Sequence, residues 1–200
     1  MLHNLNVSLF TLVTSLIFLV AAPALAHQTA EGERPAESTS EQQAADQSFH
    51  RFITAIDVLL PRDEMEKRWP DAAQRLIDRA EDTEAPLFER WRATSILTNF
   101  EEPEVKDALI GLTGDSEVRV RSMAYYVLGT KFLSEGDDAL FARLEAGLQD
   151  DSEKVRAEVI RSFGWTDNTR AHQVLRQLAD SDDDKALSKV AQRSLQRLAQ

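Results

Sequence analysis

The chain has 200 residues, 34 acids against 23 Lys and Arg, a net charge of −11 and no Cys. Absence of Cys excludes disulfides, thiol catalysis, Cys-ligated zinc and CxxCH haem attachment together. The acidity argues against nucleic acid, whose binding requires a basic face that releases counterions, and against an anionic membrane surface.

The first predicted element is an apolar run, Val7 to Val20, followed by AAPALA. Ala24 and Ala26 satisfy a small-x-small cleavage rule before His27, so residues 1–26 read as a secretory signal peptide. No Lys or Arg precedes the run, which departs from the usual pattern and leaves an uncleaved N-terminal membrane anchor as the alternative. Cleavage places the protein in a periplasm or outside the cell. Residues 27–47 are rich in Glu, Gln, Ser, Thr and Ala with no large apolar side chain, and read as a disordered polar linker.

The folded part is expected at residues 48–200. Phe49, Phe52, Ile53, Ile56, Leu59 and Leu60 follow helical spacing up to Pro61 and predict an N-terminal capping helix. Charged residues 62–69 form a short helix ending at Trp69-Pro70, and residues 71–80 a further one. Second helices are expected near 84–99, 117–132, 152–164 and 184–199, and first helices near 103–113, 136–149 and 168–180. Predicted inward positions include Ala93 and Leu97, Val120 and Ala124, Val159 and Phe163, and Ala191, Leu195 and Leu198. The loops TGDSE, QDDSE, LSEGDD, GWTDN and ADSDDD supply Asp and Ser for helix N-termini. No segment shows the period-2 alternation of a strand outside the signal region.

This alternation is a repeat. Asp115, Arg121, Ala124, Leu128 and Gly129 recur as Asp150, Arg156, Val159, Phe163 and Gly164. Degenerate copies flank these two: Glu84, Arg90, Ala93, Leu97 and Thr98 before, and Asp182, Ser188, Ala191, Leu195 and Gln196 after. A period of about 31 to 35 residues marks a stacked helical array, with atypical copies at its ends.

The pattern of an acid, Arg, a small residue and Leu-Gly resembles HEAT repeats, particularly the short type associated with phycobilin lyases, over about residues 71–199. The resemblance implies an all-α fold, a right-handed α-solenoid of about four helical hairpins behind an N-terminal cap. It implies a structural ladder of Asp and Arg that joins neighbouring loops and second helices. Carried over by position, Asp115 with Arg121 and Asp150 with Arg156 are its members, with Glu84 and Arg90 a weaker match. Ser188 departs from the pattern, so the ladder should fade at the carboxyl end.

The family resemblance leaves function open, because fold does not fix function. Deoxyhypusine hydroxylases resemble this fold but use repeated His-Glu pairs for iron, and no His-Glu dipeptide occurs here. HEAT-like DNA glycosylases need a basic groove, and a tetrapyrrole lyase belongs in the cytoplasm. The expectation is therefore a non-enzymatic, cofactor-free, exported scaffold or adaptor for a protein of unknown identity, with no nucleic acid and no membrane contact beyond the export signal. A metal- or ligand-binding accessory protein is the alternative.

Candidate partner-binding residues are Arg119, Tyr125 and Tyr126, with Ser122 beside them, and Trp165 as a loop anchor; Tyr, Trp and Arg are the hot-spot types. Trp69 and Trp91 read as core. His27, as a new amino terminus, has the amine and imidazole for copper, with His50 or His172 as a second ligand, but the plain reading is an exposed residue. Asp180 to Asp184 place acids at the first positions of an EF-hand-like loop. Lys185 and Ala191 stand where the Gly and the bidentate Glu belong, so helix capping is the better reading and no metal site is expected. No Ser-His-Asp set can be assembled.

Overall fold

The repeat is built as helical hairpins because each helix has one apolar stripe and must bury it against the next. The computed structural model describes residues 40–181 and 183–200, all within the compact unit Ser38–Gln200. The expected signal peptide, most of the expected linker, His27 and Asp182 lie outside the described residues. The ten α-helices among those described are α1 Ser40–Thr54, α2 Arg62–Arg68, α3 Ala72–Glu81, α4 Leu87–Ile96, α5 Pro103–Leu112, α6 Val118–Val127, α7 Asp138–Gly147, α8 Glu153–Phe163, α9 Thr169–Ala179 and α10 Lys185–Leu198. There is no strand among them. The fold is an all-α solenoid of four hairpins, α3–α4, α5–α6, α7–α8 and α9–α10, behind α1 and α2. None of the described helices is long and apolar enough to cross a membrane.

Turn chemistry sets the helix starts. Asp115 Oδ1 accepts the Glu117 N–H at 2.8 Å and Asp150 Oδ1 the Ser152 N–H at 2.9 Å. These are Asx turns placed just ahead of α6 and α8, so the repeated acid shapes the loop rather than capping the helix. Asp137, Asn168 and Asp184 are true caps, accepting from Leu140, Ala171 and Leu187, each at 3.0 Å. Pro103 opens α5, where its missing N–H costs nothing.

The second helices form an unbroken row, α4 on α6 on α8 on α10. Their inner residues Ala93, Leu97, Val120, Ala124, Leu128, Val155, Val159, Phe163 and Ala191 are buried, and Phe141 stacks on Phe163 with centroids 6.0 Å apart. Two glycines permit the close approach. A Cβ on Gly129 would lie 2.1 Å from Ser162 Oγ, and one on Gly164 2.8 Å from Ser194 Cβ. The repeated Gly is thus a contact between consecutive second helices. Beyond Val127 the chain widens into a π turn, Leu128–Phe132, with the Leu133 N–H reaching Leu128 O at 3.1 Å. First helices stand further apart: between α7 and α9 a groove of about 660 Å³ opens. A stack packed more tightly along one row curves toward that row.

Three expectations are corrected at the ends of the stack. α1 starts at Ser40, inside the segment read as linker. Trp69 explains this: its buried ring packs on Phe49 and Phe52 at 5.4 and 5.2 Å, and its Nε1–H donates to Ser48 Oγ at 3.0 Å and to Ala45 O at 3.3 Å. Asp46 adds an ion pair with Arg75 at 2.5 Å. Those partners order residues too polar to order themselves. Next, α1 ends at Thr54, and Ile56 and Leu59 are 79% and 82% exposed rather than inward. Arg92, buried on α4, donates to Val58 O at 2.5 Å and to Ile56 O at 3.5 Å, taking carbonyls that a continuing helix would have used. Finally, Leu198 is 36% exposed and Leu195 only half-buried, both in the last turn of α10.

Candidate interaction surface

The ladder fixes which residues remain free for other work. Arg90 Nη2 donates to Asp115, and Arg121 clamps Asp150 with Nε–Oδ2 at 2.9 Å and Nη2–Oδ1 at 3.1 Å. Each Arg therefore reaches the acid of the following copy. This corrects the in-copy pairing of Asp115 with Arg121 and of Asp150 with Arg156. Within its own copy the Arg holds backbone: Arg121 Nη1 lies 2.7 Å from Asp115 O, and Arg156 Nη1 2.7 Å from Asp150 O. A helical Arg four positions into its helix is long enough to span to the next loop, while its Nη1 is engaged by a carbonyl of its own loop. Glu84 is also corrected: its carboxylate is exposed, and Asp82 makes the Asx turn instead, accepting the Glu84 N–H at 3.0 Å. Arg90 Nε closes the end of α3 through Ala80 O at 3.1 Å. Ser188, in the Arg position of the last copy, does the same for α9 through Ala179 O at 2.9 Å.

The bidentate pair perturbs both partners. Hydrogen bonds from Arg121 hold the Asp150 carboxyl below the usual carboxylate range, and Asp150 in turn raises Arg121. Lys106, 2.7 Å from Asp137, lowers that carboxyl in the same way. Arg92, paired with carbonyls alone, is lowered by desolvation.

Of the expected binding residues, the structure keeps three at the surface. Arg119 is exposed and its guanidinium lies 4.9 Å from the centroid of Trp91, which is half-buried rather than core. Trp165 is 55% exposed, with Arg197 4.2 Å above its ring. Tyr126 is half-buried. Tyr125 is not a surface residue: it is buried, and its ring sits where a Cβ on Gly147 would meet it at 2.6 Å. Ser122 is buried too, its hydroxyl bonded to Arg119 O at 3.1 Å. Sequence reasoning missed Trp91 and Arg197 as members of these pairs. The signal was an Arg on one second helix following a Trp on or just past the preceding one, since that interval places guanidinium over ring.

The metal candidates do not converge. Among the described residues no group of three His, Asp or Glu is placed to hold an ion. His172 Nε2 lies 2.7 Å from Thr166 O, His50 Nδ1 3.7 Å from Glu89, and Asp184 caps α10.

A row of ladder-joined helical hairpins defines a repeat scaffold, and the comparisons find similar repeats in part of it. Residues 130–196 match the family described as HEAT repeats. The structure of human deoxyhypusine hydroxylase in complex with glycerol is similar, with a TM-score of 0.52 and 25% identity over 72% of this chain and 47% of that one. The chain thus spans about half the length of that protein. Comparison with curated proteins gives no match. Residues 130–196 are thus similar to HEAT repeats, helical scaffolds of the kind used for protein interaction, and the wider chain shares the helical fold of that structure. The similarity corrects the expectation of a non-enzyme, since the matching structure is that of an enzyme. Lack of a triad or of a His-Glu dipeptide was too narrow a ground, because catalytic groups on a solenoid come from different repeats and need no shared motif.

Proposed function

We propose that this chain is an exported scaffold that captures another protein along its second-helix row, through the Trp91–Arg119 and Trp165–Arg197 pairs with Tyr126. The observation that carries the reading is the stacking of an Arg on an accessible Trp at both positions, Arg119 exposed and Arg197 half-buried. Such a pair presents hot-spot side chains already ordered, so less entropy is lost on binding. Export rests on the apolar run Val7 to Val20 and the AAPALA that follows it.

The test is cross-linking of the tagged chain in its own cells, with mass spectrometry of what is captured. A partner mapped to Arg119 or Trp165, with capture reduced by Arg119→Ala and Trp165→Ala at unchanged melting temperature, is the expected result. Equal capture by both variants refutes the surface assignment. A tagged chain found wholly in the cytosolic fraction refutes export.

A further inference from the structure

Charge is divided unevenly between the two rows of helices. The second helices α4, α6, α8 and α10 hold eleven Lys and Arg against three Glu, while the first helices α3, α5, α7 and α9 hold six of each sign. One row is therefore basic in a chain whose net charge is −11. The largest share of the excess lies on α10, whose only charged side chains are Lys185, Lys189, Arg193 and Arg197. Spaced four apart, they form a stripe along one face of the helix, about 18 Å long at the α-helical rise. The stripe lies opposite Leu187 and Ala191, which are buried. Lys185, Lys189 and Arg193 are exposed, and none of the four is in an ion pair among the described residues.

The fold gains nothing from this arrangement. Like charges at this spacing weaken a helix, and Lys185 stands at the positive end of the helix dipole. Cations on the first helices are matched where the fold uses them: Arg170 reaches Asp138 at 2.5 Å, and Lys106 reaches Asp137 at 2.7 Å. The last member of the stripe joins it to the surface proposed above. Arg197 lies half-buried 4.2 Å over Trp165, so the file of unpaired cations runs into an exposed aromatic ring. That composition suits an acidic partner. Lipid is disfavoured, because α10 spends its apolar face on the core. A long polyanion such as nucleic acid would meet the acids that precede the second helices, Asp150, Asp151 and Asp183 among them. A segment no longer than the stripe responds to the local cations, since exposed charges are screened beyond about 8 Å at physiological ionic strength.

We infer that α10 seats an acidic segment of the protein partner, its carboxylates on Lys185, Lys189 and Arg193, beside Trp165. The inference rests on the protein-binding reading above and names the partner's chemistry at the α10 end of the same row.

The probe is a capped Ala-based peptide of about twelve residues with Glu at every fourth position, matching the spacing of the stripe. Counterparts carry Gln or Lys in place of Glu. Each is titrated at low salt into the isotope-labelled chain and followed by amide and indole shifts. The Glu peptide should shift the α10 amides and the Trp165 indole saturably, with an affinity that falls as salt is raised, and the other two should not. Neither Lys189 nor Arg193 holds another side chain, so the double variant Lys189→Gln with Arg193→Gln should keep or raise the melting temperature. It should weaken the Glu peptide by about fivefold or more. No saturable shift, shifts confined to other helices, equal binding of the Gln peptide, or undiminished affinity in the double variant overturns the inference. So does tighter binding at α10 of duplex DNA or of phosphatidylglycerol vesicles. Cellular capture kept by the double variant and lost in Arg119→Ala removes this seat and leaves the scaffold reading intact. Glu-peptide binding at α10 with capture unchanged in Arg119→Ala and Trp165→Ala does the reverse.

Discussion

Gly129→Ala tests the central packing claim, because the expected sign opposes ordinary helix propensity. In a helix interior Ala is favoured over Gly by about 0.5–1 kcal/mol. At Gly129 the new methyl would lie 2.1 Å from Ser162 Oγ and 2.6 Å from Ser162 Cβ. Ser162 is fully buried and its hydroxyl is bonded to Val159 O at 2.8 Å, so it has nowhere to turn. Either α6 and α8 move apart or the side chain leaves its rotamer, at a cost of about 1–3 kcal/mol. The net is a loss, read in urea or thermal unfolding as a fall of several degrees, at about 2–4 °C per kcal/mol for a chain of this size. Gly111 is the control: a Cβ there meets nothing within 4 Å, so Gly111→Ala should be neutral or stabilising. The reciprocal change Ser162→Gly removes both clashing atoms and should restore much of the loss in the Gly129→Ala background, giving a coupling of about 1 kcal/mol or more. Gly129→Ala at or above wild-type stability, or strict additivity with Ser162→Gly, refutes the close approach.

Two further predictions concern the ladder. Arg121→Ala leaves the Asp150 carboxylate without its bidentate partner and should cost about 2–3 kcal/mol, whereas exposed Arg143→Ala should cost under about 0.5 kcal/mol; equal melting temperatures would remove the cross-repeat pairing. The Asp150 carboxyl is depressed in the folded state, so its contribution is present above the unfolded carboxylate pKa and is lost as pH falls through the lower folded one. Stability should therefore fall on the acid side below about pH 4, and Asp150→Asn should flatten that limb; an unchanged acid slope in the variant contradicts the linkage.

The architecture was legible because the repeat leaves its mark wherever one copy meets the next. Second helices expected near 117–132 and 152–164 correspond to α6 with its π turn and to α8. What the pattern could not show was the direction of the contacts. Asp115 and Arg121 sit in one copy, and the resemblance implied that they were partners; the reach of an Arg side chain along the stack sends each bond to the neighbour, while its Nη1 holds a carbonyl of its own loop. The α1 boundary failed for another reason. Residues 40–47 are too polar to nominate themselves, and the distant Trp69 and Arg75 help to order them. Ile56 and Leu59 kept helical spacing beyond the true end of α1, and the residue that stops the helix, Arg92, is far along the chain.

The same logic explains why the candidate sites were the least legible part. A repeat constrains the acid, the Arg, the small residue, the large apolar residue and the Gly, because each touches the adjoining copy. The other positions differ from copy to copy, and a binding surface is written there. Arg119, Trp91 and Trp165 all fall outside the repeated positions. The ladder and the glycine contacts then serve function indirectly. By locking α4, α6, α8 and α10 in one register, they hold side chains from separate repeats at fixed spacing, so a partner meets a surface that is already arranged. It follows that a ladder variant that stays folded should weaken partner capture without touching the binding residues, through loss of register between the Trp91–Arg119 and Trp165–Arg197 pairs. Arg121→Lys is the variant to use, since it keeps the charge and loses the bidentate geometry that sets the register.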